Sequence, residues 1–209
     1  MSGLLHKPRD ARFLLVFAHG AGAGMRHRFM DAMCLHLTEH GIGTFRYQFP
    51  YMEAGGKGPD PKPILLATVR AAVHEAGKLA PELPLIAGGK SMGGRMTSMA
   101  AAEEPLDNVK GLVFFGFPLH PAGKPSTERA EHLASVSIPM LFLQGTRDSL
   151  ANLELLRPVC KSLKRKATLH IIEGADHSFR LPKKSGKNES EVLDGLAGVV
   201  EQWGLKLWG

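Results

Sequence analysis

The sequence is poor in cysteine, with only Cys34 and Cys160 among 209 residues. Two isolated cysteines make neither a disulfide framework nor a cysteine-ligated metal site. Both fall on the faces of predicted helices, where buried thiols are common. We therefore expect two buried, reduced cysteines, no bound metal ion and no other cofactor.

Long apolar runs are also missing, since no run reaches the roughly 20 residues that a helix needs to cross a bilayer. The first residues lack the apolar core of a signal peptide. We therefore expect a cytoplasmic protein without membrane contact. Hydrophobic residues make up 44% and charged residues 22% of the chain, which is typical of a globular protein, and the length favours one domain over residues 1–209.

The net charge of +6 raises the question of a nucleic-acid partner. The densest basic cluster is at 161–166, and it has no interleaved aromatic residues and matches no nucleic-acid-binding module. We expect a solvated basic surface, no nucleic-acid partner, and a field that could draw anionic small molecules toward a site. The sequence does not indicate an oligomeric state.

Apolar strand-like segments alternate with helix-like segments along the whole chain. This alternation predicts an α/β fold with a mostly parallel sheet of about six strands and helices on both faces. The predicted strands lie near 13–18, 44–49, 83–88, 109–115, 138–144 and 167–172. The predicted helices lie near 26–40, 63–80, 92–104, 127–134, 151–163 and 189–205.

The most informative motif is the stretch Gly88–Gly94, which follows an apolar strand and opens a helix. Its G-x-S-x-G pattern is typical of the nucleophile elbow of an α/β-hydrolase. The serine there occupies a strained turn, and Gly89 and Gly93 leave room where a Cβ would collide. The turn places Ser91 at a helix N-terminus, where developing negative charge is favoured.

A phosphate-binding P-loop is the rival interpretation of Gly89-Lys90-Ser91. That motif requires a first glycine at position 84. Position 84 is Pro84, inside the predicted strand. The sequence therefore favours the elbow.

Two further side chains lie just after later strands, in the order that α/β-hydrolases use. Asp148 follows the strand near 138–144, and His177 follows the strand near 167–172. Carboxyl ends of strands form the edge at which open α/β sheets place their sites. We predict a catalytic triad of Ser91 as nucleophile, His177 as base and Asp148 as the acid that orients the imidazole.

Other acids and histidines remain as alternatives. Asp176 and Glu173 are weaker candidates for the acid. We expect His170 to face the exterior or a helix rather than the site, and His120 to border the pocket.

The turn from His19 to Gly22 follows the buried strand near 13–18. An H-G-x-G turn at this place lets a backbone amide face the reacting carbonyl, together with the amide after the nucleophile. We predict an oxyanion hole made by the amide of Met92 and that of Ala21 or Gly22. For His19 itself we expect a structural role.

With these residues in view, the chain resembles a small α/β-hydrolase of the dienelactone-hydrolase-related group. The stretch Gly88–Arg95 resembles the compact hydrolase-like domain of testis-expressed and NSL-complex-subunit proteins and their bacterial relatives. The resemblance implies a single-domain α/β-hydrolase fold from Phe13 to the last helix. Dienelactone hydrolases use a cysteine nucleophile, so their substrate does not carry over to Ser91.

Two loops lie at the predicted site edge, at 51–63 and 117–125. The first is either a flap or an ordinary connection. Neither is long enough to build a large cap, so we predict a small open pocket. Its predicted walls are Met25, Tyr51, Phe117 and Phe179.

The sequence thus predicts a serine hydrolase that cleaves small carboxylic esters or thioesters through an acyl-enzyme at Ser91. Two alternatives stay open at this point. One is a non-catalytic interaction module with the hydrolase fold. The other is an acyltransferase or perhydrolase that uses the same triad.

Overall fold

A seven-stranded sheet in the strand order β1-β3-β2-β4-β5-β6-β7 forms the centre of the molecule. The computed structural model describes residues 1–56, 58–186 and 188–208. The strands are β1 (Gly3–His6), β2 (Phe13–Ala18), β3 (Ile42–Tyr47), β4 (Leu85–Lys90), β5 (Val109–Phe115), β6 (Met140–Gly145) and β7 (Ala167–Ile172). Strands β2 to β7 run parallel, so their carboxyl ends meet at one edge.

The first strand is a departure from the predicted six. It pairs antiparallel with β3, from Gly3 opposite Tyr47 to His6 opposite Thr44. Three of its four residues are exposed, so it lacks the apolar pattern by which the other strands are recognised. It extends the sheet at its edge without contributing to the site.

Helices cover both faces of the sheet, as predicted for an α/β fold. They are α1 (Arg28–Glu39), α2 (Pro50–Glu53), α3 (Lys62–Leu79), α4 (Met92–Glu103), α5 (Leu153–Ser162) and α6 (Glu189–Leu205), with short 3-10 helices at Glu128–Ser135, Lys164–Lys166 and Lys183–Ser185. Helices α1 and α6 pack on one face through residues such as Phe29 and Leu196. Helices α3, α4 and α5 pack on the other through residues such as Val69, Met96 and Leu156.

Several boundaries differ from the predicted ones by a few residues. Strand β3 begins and ends two residues earlier than expected, and Pro50–Glu53 forms the short helix α2. Strand β4 continues to Lys90, so Ser91 follows it directly. The two cysteines are buried and unpaired with each other, as predicted.

Across residues 1–56, 58–186 and 188–208, no helix is both long and apolar enough to cross a membrane.

Candidate active site

Ser91 occupies the sharp turn between β4 and α4, with φ 51° and ψ −118°. Non-glycine residues rarely adopt a positive φ, and where they do the strain is commonly linked to function. A Cβ added at Gly89 would lie 2.4 Å from the Ala18 carbonyl oxygen, and one at Gly93 would lie 2.5 Å from that of His19. Both glycines are therefore required for the close approach of the elbow to β2.

A continuous chain of hydrogen bonds joins Ser91 to His177 and Asp148. The Ser91 Oγ lies 2.9 Å from His177 Nε2, and His177 Nδ1 lies 2.7 Å from Asp148 Oδ2. With the Nδ1 proton donated to the carboxylate, Nε2 is free to accept the serine proton. The structure thus brings together the three residues that the sequence singled out. Of these, Ser91 and His177 are 86 residues apart in the chain.

The Asp148 carboxylate is buried and holds three hydrogen bonds. Besides His177, it accepts from the Leu150 amide at 2.8 Å and from Gln144 Nε2 at 2.5 Å. Burial alone would raise the Asp148 pKa, but the hydrogen bond and charge of His177, the Leu150 amide and the charge of Lys90 together lower it. The group is therefore ionised at neutral pH, as an imidazole-orienting acid must be.

Gln144 is a site residue that the sequence analysis missed. Its side chain is fully buried, and while its amide nitrogen supports Asp148, its Oε1 accepts from the Phe117 amide at 3.0 Å. It fixes the acid relative to the end of β5. The signal was available, because Gln144 is a polar residue at the carboxyl end of an otherwise apolar strand.

The two alternative acids have other partners. Asp176 Oδ1 accepts from the backbone amides of Ser178 and Arg180 at 2.8 and 2.9 Å, so it shapes the loop that carries His177. Glu173 is exposed and accepts from Thr146 Oγ1 at 3.3 Å. Of the three acids, Asp148 is the one in hydrogen-bond contact with the His177 ring.

Lys90, beside the nucleophile, is a buried cation that sequence reasoning also passed over. Its Nζ donates to the His177 carbonyl at 2.6 Å and lies 5.7 and 5.6 Å from the ring centres of Phe29 and Phe179. Burial lowers the Lys90 pKa to about 8, against the opposing charges of Asp148 and Asp176. The side chain ties the histidine loop to the elbow.

The backbone amides of Ala21 and Met92 have no acceptor among the described residues, and both residues line the same cavity as Ser91. The Met92 amide is the first of α4 and has no intrahelical acceptor. The Gly22 amide instead donates to Tyr51 Oη at 3.0 Å. Of the two amides that the sequence left open, the Gly22 amide is thus engaged with Tyr51, and the Ala21 amide has no acceptor among the described residues.

His19 and His120 both have fixed structural partners. His19 is fully buried, donates from Nδ1 to the Gly20 carbonyl at 2.7 Å and accepts from the Phe49 amide at Nε2 at 3.2 Å. Burial lowers its pKa, so it stays neutral. His120 accepts from the Asn152 amide at 2.9 Å. Each histidine holds a loop at the site edge.

Two cavities flank Ser91 and share Ala21, Ser91 and Leu150 in their walls. The cavity on the histidine side, which we call the His177-side cavity, has about 350 Å³ and is lined by residues including Phe29, Met30, Lys90, His177, Ser178 and Arg180. The other, which we call the α4-side cavity, has about 430 Å³ and is lined by residues including Lys62, Leu65, Met92, Arg95, Met96 and Arg129.

The predicted pocket walls are wrong in detail. Met25, Tyr51, Phe117 and Phe179 are at most 8% exposed, and none of them lines the two cavities beside Ser91. Phe117 packs on Phe114 and Phe142 in the core, and Phe179 stacks on Phe29. These apolar side chains lie behind the site because burying them is worth about 1.5–3 kcal/mol each.

The loops at the site edge are short, as predicted. The connection from β5 to the 3-10 helix at Glu128–Ser135 contains no helix or strand in the described chain, which agrees with the absence of a large cap. The loop predicted at 51–63 starts within α2, and its residue Lys57 lies outside the described residues. Asp60 accepts from the Tyr51 amide at 2.8 Å, which ties the two ends of this loop together.

A family profile described as an alpha/beta hydrolase domain matches residues 11–204. The chain belongs to the α/β-hydrolase family. The match covers every element of the sheet except the edge strand β1, and it agrees with a mostly parallel sheet whose site lies at the carboxyl ends of the strands. The fold with its Ser–His pair supports hydrolase activity for this chain.

Two curated relatives, from Mycobacterium tuberculosis strains CDC 1551 and H37Rv, are each 30% identical to this α/β-hydrolase over 190 residues. They are provisionally named phosphoribosyl transferases. The aligned region covers 87% of this chain and 40% of theirs, so the chain spans about two fifths of the length of these relatives.

Solved structures share the fold at low identity. A dienelactone hydrolase from Anabaena variabilis superposes with a TM-score of 0.76 at 22% identity, covering 98% of this chain and 90% of its own. Est1E from Butyrivibrio proteoclasticus with bound ferulic acid superposes with a TM-score of 0.74 at 19% identity, covering 99% of this chain and 94% of its own. A Xanthomonas campestris serine hydrolase without a lid superposes with a TM-score of 0.71 at 20% identity, covering 99% of this chain and 88% of its own.

Proposed function

We propose that this α/β-hydrolase is a serine esterase that cleaves small carboxylic esters or thioesters. The observation that carries the proposal is the unbroken chain of hydrogen bonds from Ser91 Oγ through His177 to the ionised Asp148. A serine hydroxyl becomes an effective nucleophile when a positioned base takes its proton. The strained elbow and the two free amides complete the requirements of acyl transfer.

The geometry supports a two-step reaction. Ser91 Oγ attacks the carbonyl carbon while His177 takes its proton, and the amides of Met92 and Ala21 stabilise the resulting oxyanion. His177 then gives the proton to the leaving alcohol or thiol, which departs from the acyl-enzyme. Water activated by His177 attacks the acyl carbon and releases the acid and Ser91.

Three alternative functions differ from this proposal in the site features or the second nucleophile that they require. An interaction module would not need the ionised acid, the strained serine and the free amides to be retained together. An acyltransferase or perhydrolase shares the first step and differs only in the second nucleophile. The phosphoribosyl transferase name belongs to proteins of which this chain spans two fifths, and the hydrogen-bonded Ser91, His177 and Asp148 support acyl chemistry.

The proposal predicts a preference for short neutral acyl chains. The walls of the α4-side cavity include the charged residues Arg95 and Arg129 beside the apolar Met96. Longer neutral chains would have to place methylene groups against these charges and forgo about 0.8 kcal/mol per CH₂. With 4-nitrophenyl esters, we expect kcat/KM to peak between acetate and butyrate and to fall for longer chains.

The ester series is measured against Ser91→Ala as the background enzyme. Hydrolysis of butyrate by the wild type, absent from Ser91→Ala, is the expected result. A rate that still rises at decanoate would contradict the cavity description. Failure of every ester to react above the Ser91→Ala rate would contradict the proposed function.

A further inference from the structure

The α4-side cavity contains cations that the proposed ester chemistry does not use. Arg95 lies one helical turn after Ser91 on α4, since its amide bonds the Ser91 carbonyl at 3.2 Å. Residues four apart on a helix share a face, and both residues line this cavity. Arg95 and the reacting serine therefore face the same cavity from adjacent turns of the chain.

Arg95 has an unmet need for an anion. Its Nε is buried without a hydrogen-bond partner among the described protein residues, and in that part of the chain it forms no ion pair. Burial and the positive charge of Arg129 lower its pKa. A cation in the first turn of a helix is also disfavoured by the helix dipole.

The surroundings of Arg95 add positive charge. Arg129 also lines the cavity, half-buried and without an ion pair to any described residue. Lys62 lies at the exposed rim and is paired with Glu103 at 3.3 Å, the one carboxylate found in contact with the described cations of this cavity. Burial and the charges of Arg95 and Lys62 lower the His132 pKa to about 4, so His132 stays neutral.

The proposed mechanism assigns the two cavities to different parts of a substrate. His177 must hand its proton to the leaving alcohol, and His177 lines the other cavity. The alcohol therefore leaves through the His177-side cavity. The acyl part then extends past Met92 into the α4-side cavity, toward Arg95 and Arg129.

We propose that the α4-side cavity is an acyl subsite for an anionic group, a carboxylate or a phosphate, held by Arg95 and Arg129. The proposal rests on the proposed esterase function and deepens it, because it names the substrate class: esters whose acyl chain ends in an anion a few carbons from the reacting carbonyl. Guanidinium groups bind such oxyanions through paired, charge-assisted hydrogen bonds. The apolar wall at Leu65 and Met96 receives the intervening carbons.

The test compares three 4-nitrophenyl esters of similar length: hexanoate, the monoester of adipate, and 5-phosphonopentanoate. At low salt we expect kcat/KM to be at least about tenfold higher for one or both anionic esters than for hexanoate, as for a hydrogen-bonded charge in a partly buried site. The preferred anion distinguishes a carboxylate from a phosphate ligand. The preference should shrink in about 1 M NaCl, because salt screens charges.

Arg95→Met should reduce the ratio of anionic to hexanoate kcat/KM to near one, and Arg129→Met should reduce it severalfold. Arg129 lies outside the elbow helix, so its variant keeps the test valid if Arg95→Met folds poorly. Arg165→Met is the matched control, because Arg165 is exposed and precedes β7 at the opposite edge of the sheet. That control should keep the wild-type ratio.

The outcomes separate the two proposals. A wild-type enzyme that hydrolyses hexanoate as well as both anionic esters would overturn the subsite and leave the esterase function standing. A preference that survives in both arginine variants would also overturn it. If no ester reacts above the Ser91→Ala background, the esterase function fails, and the subsite fails with it.

Discussion

Replacing His177 by alanine is expected to lower kcat on a short ester by about five to six orders of magnitude. Without the imidazole, no group takes the Ser91 proton during attack, and no group returns a proton to the leaving alcohol. Serine and histidine of such a site act as a unit, so losing either costs about as much as losing both. The measurement is single-turnover hydrolysis of 4-nitrophenyl butyrate, with thermal unfolding to show that the variant is folded.

His170→Ala is the matched control for this variant. His170 is an exposed histidine of β7, away from the hydrogen bonds at Ser91, and its loss should leave kcat within about twofold, as expected of a surface substitution. If His177→Ala retained a tenth of the wild-type kcat, another group would have to serve as the base.

Asp148→Asn is expected to lower kcat by about four orders of magnitude while the fold is retained. The carboxylate accepts hydrogen bonds from His177, Leu150 and Gln144. An asparagine has one oxygen, so its amide group must face at least one of these donors. Facing His177, it favours the wrong imidazole tautomer; facing Leu150, it leaves a buried amide without an acceptor. Steady-state kinetics with the same ester measures the loss.

Asp176→Asn provides the comparison for the acid. Its Oδ1 accepts two backbone amides, and an asparagine oxygen can accept both, so a loss of less than about tenfold is expected. A reversed order, with Asp176→Asn the more damaging variant, would move the acid from Asp148 to Asp176.

The Ser91, His177 and Asp148 positions could be predicted because each follows a strand that a local pattern reveals. Strands β2, β4, β5 and β6 are mainly buried apolar segments and β7 is a half-exposed edge strand, and parallel strands bring their carboxyl ends to one edge whatever the details of packing. The G-x-S-x-G pattern is equally local in the sequence, although the space that Gly89 and Gly93 leave is filled by the end of β2.

What could not be predicted depends on long-range contacts. The edge strand β1 has no apolar pattern and forms only by pairing with β3. Tyr51 follows a strand end, yet its ring is buried and its hydroxyl accepts from Gly22. Sequence position placed such residues near the site edge but could not show in which direction the side chain points.

The charged residues of the site show the same limit. Lys90 was visible in the elbow motif, but its bond to the His177 carbonyl joins two loops that are far apart in sequence. Arg95 likewise belongs to the motif, while its neighbour Arg129 comes from a separate 3-10 helix. A cationic subsite built from two elements becomes visible only when their packing is known.

The most direct test of the account is to treat the native protein with a fluorophosphonate and to identify the modified residue by mass spectrometry. We expect a single adduct on Ser91 in the wild type and in Ser178→Ala, a nearby exposed serine of the His177-side cavity. No adduct should form in Ser91→Ala or in heat-unfolded wild type. An unlabelled native wild type, or an adduct that persists in Ser91→Ala, would contradict the assignment of Ser91 as an activated nucleophile.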